Sequence, residues 1–202
     1  MKKLMIIMAA ALMIPCLAQA QKTLIHKNDA DSDPKYLAGA VPEVDGKVVF
    51  TLNEDVPGKS AQQIFDIVYQ VLDRMTKSTE QLKESQIAMV DKTNHMIAAK
   101  YREWLVFKST ALALDRTVFN YTIIATCTDN HLNLTLSRIS YAYEMDREGT
   151  EGMQSSAEEW ITDKYALNKA KNKLSKYSGK FRRKTIDRKD EIFQIIMNAV
   201  TK

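Results

Sequence analysis

Apolar and polar residues alternate along 48–52. Val48, Phe50 and Leu52 fall on one side, Val49 and Thr51 on the other, which is the two-residue period of a strand. Pro57-Gly58 breaks the pattern. From Ser60 the period changes. Ile64, Ile67, Val68, Val71, Leu72 and Met75 recur at steps of three and four, predicting a helix with one apolar face that ends near Lys77-Ser78. Ser60-Ala61-Gln62-Gln63 fits a capping box, in which Ser60 and Gln63 each serve an otherwise unpaired amide. Losing such a cap costs about 1 kcal/mol. Two strands are predicted at 85–90 and 95–101, joined through Asp91-Lys92-Thr93-Asn94. Trp104-Leu105-Val106-Phe107 can extend the sheet, and residues 108–115 carry no decisive pattern.

The next hairpin is the most informative stretch. Along 117–127 the odd positions Phe119, Tyr121, Ile123, Ala125 and Cys127 share one face. Asp129 and Asn130 both tolerate positive φ and make a two-residue turn. That turn opposes Cys127 to Leu132, Ala125 to Leu134 and Ile123 to Leu136, three apolar pairs on one face. Continued without change, the register would set Tyr121 against Arg138. One extra residue near Ser137-Arg138 brings Ile139 to Tyr121, Tyr141 to Phe119 and Tyr143 to Thr117. A β-bulge is therefore expected there, because a one-residue slip turns every side chain over. After 149–152 the pattern becomes helical. Ser156-Ala157-Glu158-Glu159 forms a second capping box. Asp187 is expected to cap a last helix from about Arg188 to Val200. Its stripe is Ile192, Ile195, Ile196 and Ala199, widened by Phe193, Met197 and Val200.

The N-terminus sets an address. Met1-Lys2-Lys3 is positive, Leu4 to Leu17 is apolar apart from Pro15-Cys16, and Ala18-Gln19-Ala20 is a small-x-small cleavage site. An exported protein beginning at Gln21 is expected, periplasmic or secreted, with no transmembrane segment in the mature chain. Pro15 stands where lipidation of Cys16 would need a small residue. The remaining residues, 21–202, suffice for one domain that buries roughly 70% of its unfolded surface. One cysteine, Cys127, is left, which excludes an intramolecular disulfide. Residues 21–35 are polar and expected to form a flexible leader. The chain divides into an α+β domain over 36–153 and a helical extension over 154–202.

Charge is uneven. Residues 164–184 hold nine Lys or Arg and no Asp or Glu, while 144–163 hold seven acids and one base, Arg147. The two blocks make a natural internal pair. If the basic stretch is helical, Lys169, Lys173, Lys176 and Lys180 share one side, and Ser178-Gly179 acts as a stop. With Arg182, Arg183 and Lys184 they are a candidate patch for an anionic envelope partner. Against this stands an ordinary solvated face. Export argues against nucleic acid.

Three segments resemble a family of exported proteins from Gram-negative bacteria, a domain of unknown function with a TBP-like fold. They are KYLAGAVPEVDGKVVFTL at 35–52, PGKSAQQIFD at 57–66 and LVFKSTALALDRTVFNYTI at 105–123. The tail ITDKYALNKAKNKLSKYSGKFRRKTID at 161–187 is also similar to the ending of longer members. The resemblance implies a curved antiparallel sheet with strand and helix order β-α-β-β-β-β and helices on one side. It implies no activity and no functional residues.

Catalytic chemistry finds little footing. His26, His95 and His131 lie in the leader or beside turns, and none has a Cys, Asp or Glu partner at a recognised ligand spacing. Cys127 sits on the core face, where apolar surroundings raise a thiol's pKa. Lys108-Ser109 lacks a nucleophile elbow, and Asp115-Arg116 reads as an ion pair. No metal or cofactor is called for, and a hydrolase is the minor alternative. The side of the hairpin opposite the core carries Asn120, Thr122, Ile124 and Thr126, with Asn133 and Thr135 across from them. Uncharged and rich in hydrogen-bonding groups, it is a candidate face for an extended peptide, an envelope protein or a glycan. Alternatively, Thr is there because it favours strands, or the leader covers it.

Overall fold

The computed structural model describes residues 31–145 and 151–202. The export signal and cleavage site expected at 1–20 lie outside the described residues. A short 3-10 turn, Pro34–Tyr36, is followed by strands β1 (Glu43–Val44), β2 (Lys47–Val48) and β3 (Phe50–Asp55), then helix α1 (Ala61–Thr76). Strands β4 (Gln86–Asp91), β5 (Met96–Thr110), β6 (Ala113–Thr128) and β7 (His131–Tyr143) make an antiparallel meander. After β8 (Met153–Ser156) come the one-turn helices α2 (Ala157–Trp160) and α3 (Asp163–Ala166), and the long α4 (Gly179–Val200). The main sheet runs β3-β7-β6-β5-β4, and β8 pairs with the upper part of β7. The fold is α+β with the β-α-β-β-β-β order.

The capping boxes form as written in the sequence. The Ser60 hydroxyl accepts the Gln63 amide while Gln63 Oε1 accepts the Ser60 amide at 2.9 Å. Ser156 and Glu159 do the same for α2, although that helix stops after one turn. The hairpin register is also as the alternation requires. Cys127 opposes Leu132, Ala125 opposes Leu134, Ile123 opposes Leu136, Phe119 opposes Tyr141 and Thr117 opposes Tyr143, with the register shift between Asn120 and Thr122. Arg138, opposite that shift, adopts φ 53°. The turn differs in one detail. Only Asn130 takes positive φ; the Asp129 carboxylate instead accepts the Ala61 amide at 2.8 Å, tying the turn to the start of α1.

Residues 108–115, which carried no pattern, are the tip of the β5–β6 hairpin. It outruns its neighbours, so no burial imposed alternation there.

The core lies on the odd-numbered face of β6 and its partners. Tyr101, Phe119, Tyr121, Ile123, Leu134, Leu136 and Tyr141 meet Ile64, Val68 and Leu72 from α1 and Phe181, Ile192 and Ile196 from α4. Stacked and tilted rings link Tyr101, Tyr121, Phe119 and Tyr141, and Phe181 packs edge-on against Tyr141 and Trp160. The core crosses the division drawn at 153/154: Ala157, Ile161 and the apolar side of α4 belong to it. The helical extension is one layer of the same domain, since the sheet's apolar face needs α4 to cover it.

Three expectations about the C-terminal part are corrected. The last helix begins at Gly179, and Asp187 lies within it. Ser178-Gly179 starts the helix rather than stopping one. Residues 167–178 are turns and bends around a Leu167–Leu174 bridge, so the lysines there do not form a helical stripe. The reason is packing. Gly179 lies against Leu174, where an added Cβ would come within 2.8 Å of the Leu174 Cβ. A glycine that reads as a breaker locally is needed here for close approach.

The leader also differs at its end. Asp31 accepts the Leu174 amide and Arg183, and Lys35 pairs with Asp187 at 2.8 Å and Asp190 at 3.0 Å. Residues 31–35 therefore lie along the helical layer.

Candidate functional site

Alternation along β5, β6 and β7 sends the even side chains of β6 away from the core. Opposed residues build rows across this second face. Asn53 of β3 faces Asn133, which faces Thr126, which faces Met96; Thr51, Thr135, Ile124 and Ala98 form the next row. Ser137, Thr122, Lys100 and Gln86 follow, then Ser140, Asn120 and Arg102. Asn120, Ile124, Thr126, Asn133 and Thr135 are half-buried, and Thr122 is buried by its neighbours at 7% exposure. The six residues singled out on this hairpin thus share one face, outside the core cluster that the helices complete.

The face is partly wired. Asn133 Nδ2 donates to Asn53 Oδ1 at 3.0 Å, and Asn120 Nδ2 donates to Ser140 Oγ at 3.3 Å. His131 lies between Asn53 and Asp55, with Nε2 2.8 Å from Asn53 Oδ1 and Nδ1 2.9 Å from Asp55 Oδ1. His95 is beside a turn and edge-on to Phe65. Among the described residues no group of three or more His, Cys, Asp or Glu converges as a metal ion requires.

Sequence reasoning missed the charges that border this face. A depression of about 250 Å³ is lined by Lys100, Arg102, Asn120, Thr122, Arg138 and Glu84. Arg102 pairs with Glu84 at 2.8 Å. Among the described residues, neither Lys100 nor Arg138 has an ion-pair partner. In two larger hollows charged side chains are engaged by a carboxylate, a cation or an aromatic ring. Beside Trp104 and Leu114, in about 620 Å³, Asp115 is held by Lys180 and Arg116 stacks on Trp104 at 3.7 Å. Between Phe50 and Phe193, in about 770 Å³, Lys35 and Lys189 both pair with Asp190. The ion pair expected of Asp115 and Arg116 is therefore replaced by Asp115–Lys180. Neighbours on a strand point to opposite faces.

The basic segment separates into two populations. Lys180 is engaged by Asp115 and the Tyr143 hydroxyl. Arg182 is fully buried: Nε donates to the Tyr36 carbonyl at 2.6 Å, Nη1 to the Ile161 carbonyl at 2.9 Å, and Nη2 to the Leu37 carbonyl at 2.5 Å and Asp163 at 2.8 Å. Burial draws its guanidinium below the ordinary value while Asp163 opposes the change. Arg182 is a structural clasp and leaves the surface patch. Arg183 pairs with Asp31 at 3.1 Å. Lys184 is half-exposed, whereas Lys164, Lys169, Lys171, Lys173 and Lys176 are exposed. Of the expected pairing between the acidic and basic blocks, only Asp163–Arg182 forms among the described residues. Glu158 instead accepts the Val48 amide, and Glu159 completes a cap.

The core holds a second unforeseen ion pair. Glu103 is 2% exposed and receives Arg188 through two hydrogen bonds, Nε to Oε1 at 2.8 Å and Nη2 to Oε2 at 2.9 Å. Tyr121 donates to it at 3.2 Å, and Gln81 donates as well. Burial pulls the Arg188 guanidinium down, but Glu103 outweighs it and holds it above its ordinary value. The signal was present: Glu103 continues the alternation of Ile97, Ala99, Tyr101 and Leu105, so a carboxylate in core register demanded a cation. Cys127 lies in the same interior, where burial pushes its thiol up to about 12.

Comparison with other proteins places this geometry. The family described as "Domain of unknown function (DUF4468) with TBP-like fold" matches residues 50–142, from β3 to β7. The crystal structure of a DUF4468 family protein from Bacteroides ovatus ATCC 8483 is 44% identical, covering 84% of this chain and 95% of that one, with TM-score 0.77. The chain belongs to the DUF4468 family. A TBP-like protein from Parabacteroides distasonis ATCC 8503 shares the fold at 21% identity and TM-score 0.65, over 80% of this chain and 97% of that one. No curated protein is significantly similar. The family description names a fold and not a function, and fold does not dictate function. Among the described residues no helix is long and apolar enough to cross a membrane.

Proposed function

We propose that this DUF4468 chain is an exported binding module of the periplasm or cell envelope, acting by recognition rather than catalysis. The observation that carries this reading is the asymmetry of the sheet. One face is spent on the core and on α1 and α4, while the other presents rows of Asn, Thr and Ser side chains that no helix covers among the described residues. The signal-like first 20 residues support export. The buried, proton-holding Cys127 supports a role without a thiol nucleophile. The test is affinity capture from the host's envelope extract, using the purified protein and a Thr126→Tyr plus Asn133→Tyr variant. Tyr suits strands, so the fold persists while the face is filled. The variant is expected to lose the main captured species. Equal capture by both proteins would sink the reading.

A second reading concerns the basic segment 164–184, chiefly α3 and the loop at 167–178. Five exposed lysines, Lys164, Lys169, Lys171, Lys173 and Lys176, have no ion-pair partner among the described residues, and Tyr165 and Tyr177 are exposed beside them. This favours an adaptor for an anionic envelope surface. Its ligand would release at about 0.5 M salt, where the screening length is only a few Å. A ligand held by the neutral rows would stay.

A further inference from the structure

The depression beside Thr122 sits next to the β-bulge, and the residue at the bulge has a left-handed backbone. Arg138 holds φ 53°, a conformation that glycine or asparagine adopts readily and an L residue with a long side chain adopts at a cost. Glycine would hold this backbone without strain, so the bulge alone does not call for an arginine. Its neighbour Ile139 turns into the core at 2% exposure, while Arg138 is exposed and lines the depression. Among the described residues it has no carboxylate partner. Lys100, one row across, has none either. Arg102 completes the group, with Glu84 as the single acid beside it. Backbone strain held at a site where three cations meet a single carboxylate, Glu84, points to a ligand that supplies further negative charge.

Resting on the open-face reading above, we infer that this depression binds an anionic saccharide unit, its carboxylate or phosphate set among Arg138, Lys100 and Arg102, and its hydroxyls against Asn120. Guanidinium groups match either anion through paired donors. A saccharide fits better than a peptide. Strands β5, β6 and β7 are interior, with their backbone groups already in the ladder, so no sheet edge is open for strand addition at this point. What the site offers is amide, hydroxyl and cationic side chains around a volume of about 250 Å³.

The test titrates the ¹⁵N-labelled protein with three ligands: an oligogalacturonide, a mannose 6-phosphate oligosaccharide and a neutral galactan oligosaccharide. Shifts are expected at the amides of Lys100, Arg102, Asn120 and Thr122 with one or both anionic ligands, and the two arms separate carboxylate from phosphate. Arg138→Gly is expected to weaken that binding about ten-fold or more, the range of a lost charged hydrogen bond, with Tm unchanged or raised because glycine relieves the strained backbone. Failure of both anionic ligands to shift these amides overturns the inference, as does undiminished binding by Arg138→Gly, or a Tm loss that accounts for the weaker binding. Equal binding of the neutral ligand on the open face overturns the charge argument and leaves the open-face reading standing. Shifts confined to residues 169–176 would remove both.

Discussion

Cys127 shows how far one position can be taken. Its place in the odd-numbered series of β6 put it opposite Leu132 and inside, and burial at 1% exposure then dictates its chemistry. An unfolded thiol releases its proton near pH 9, whereas the folded one holds it to about 12. The unfolded state therefore binds fewer protons between these values, and stability falls as pH rises through that window and is fully present below it. The slope from this group reaches about 1.4 kcal/mol per pH unit. Burial also raises Tyr101, Tyr121 and Tyr141, which extend the loss above pH 10. Cys127→Ala is expected to flatten the fall in urea-unfolding stability between pH 9 and 10 and to leave the steeper part. An unchanged slope there would mean that the thiol is exposed, and so would rapid alkylation of the native protein at pH 8.

Elements were legible where one face was forced. The helix α1, the meander and the bulge all follow from alternation that burial enforces, and two capping boxes fixed helix starts to the residue. The Asp45-Gly46 turn joining β1 and β2, with φ 50° and 70°, carries the Asp-Gly signal of a tight hairpin and could have been found on that basis. The start of α4 was not legible, because its first two turns, Gly179-Lys180-Phe181-Arg182-Arg183-Lys184, hide one apolar residue among cations. What recruits this segment is long-range: Phe181 enters the aromatic cluster, and Arg182 gathers carbonyls from residues 36, 37 and 161. No local pattern encodes such partners. Arg182→Lys keeps the charge but loses the planar fork. It is expected to lower unfolding free energy by about 3 kcal/mol, as for a broken buried pair, and to speed amide exchange at Tyr36 and Leu37. A change under about 0.5 kcal/mol would show that the clasp is incidental.

At the scale of the molecule, the described residues make a two-layer domain whose main apolar core lies on one side of the sheet. Burying Ile186, Ile192, Phe193, Ile196 and Val200 is worth about 1.5–3 kcal/mol each. That total rivals the 5–15 kcal/mol by which a domain of this size is typically stable, which is why α4 cannot be a separate appendage. The general character of the candidate site was visible in the even-numbered positions of the hairpin. Its charges were not, because Lys100 and Arg102 lie on β5 and Arg138 on β7, nearly forty residues later, and the two places meet only through strand pairing. The most direct test of the central claim is hydrogen–deuterium exchange on the protein with and without the species it captures from its envelope. Added protection should fall on β6 and β7 around residues 120–126 and 133–138 and persist at 0.5 M salt. Protection limited to the lysine-rich loop at 167–178, or lost at that salt concentration, would contradict the account.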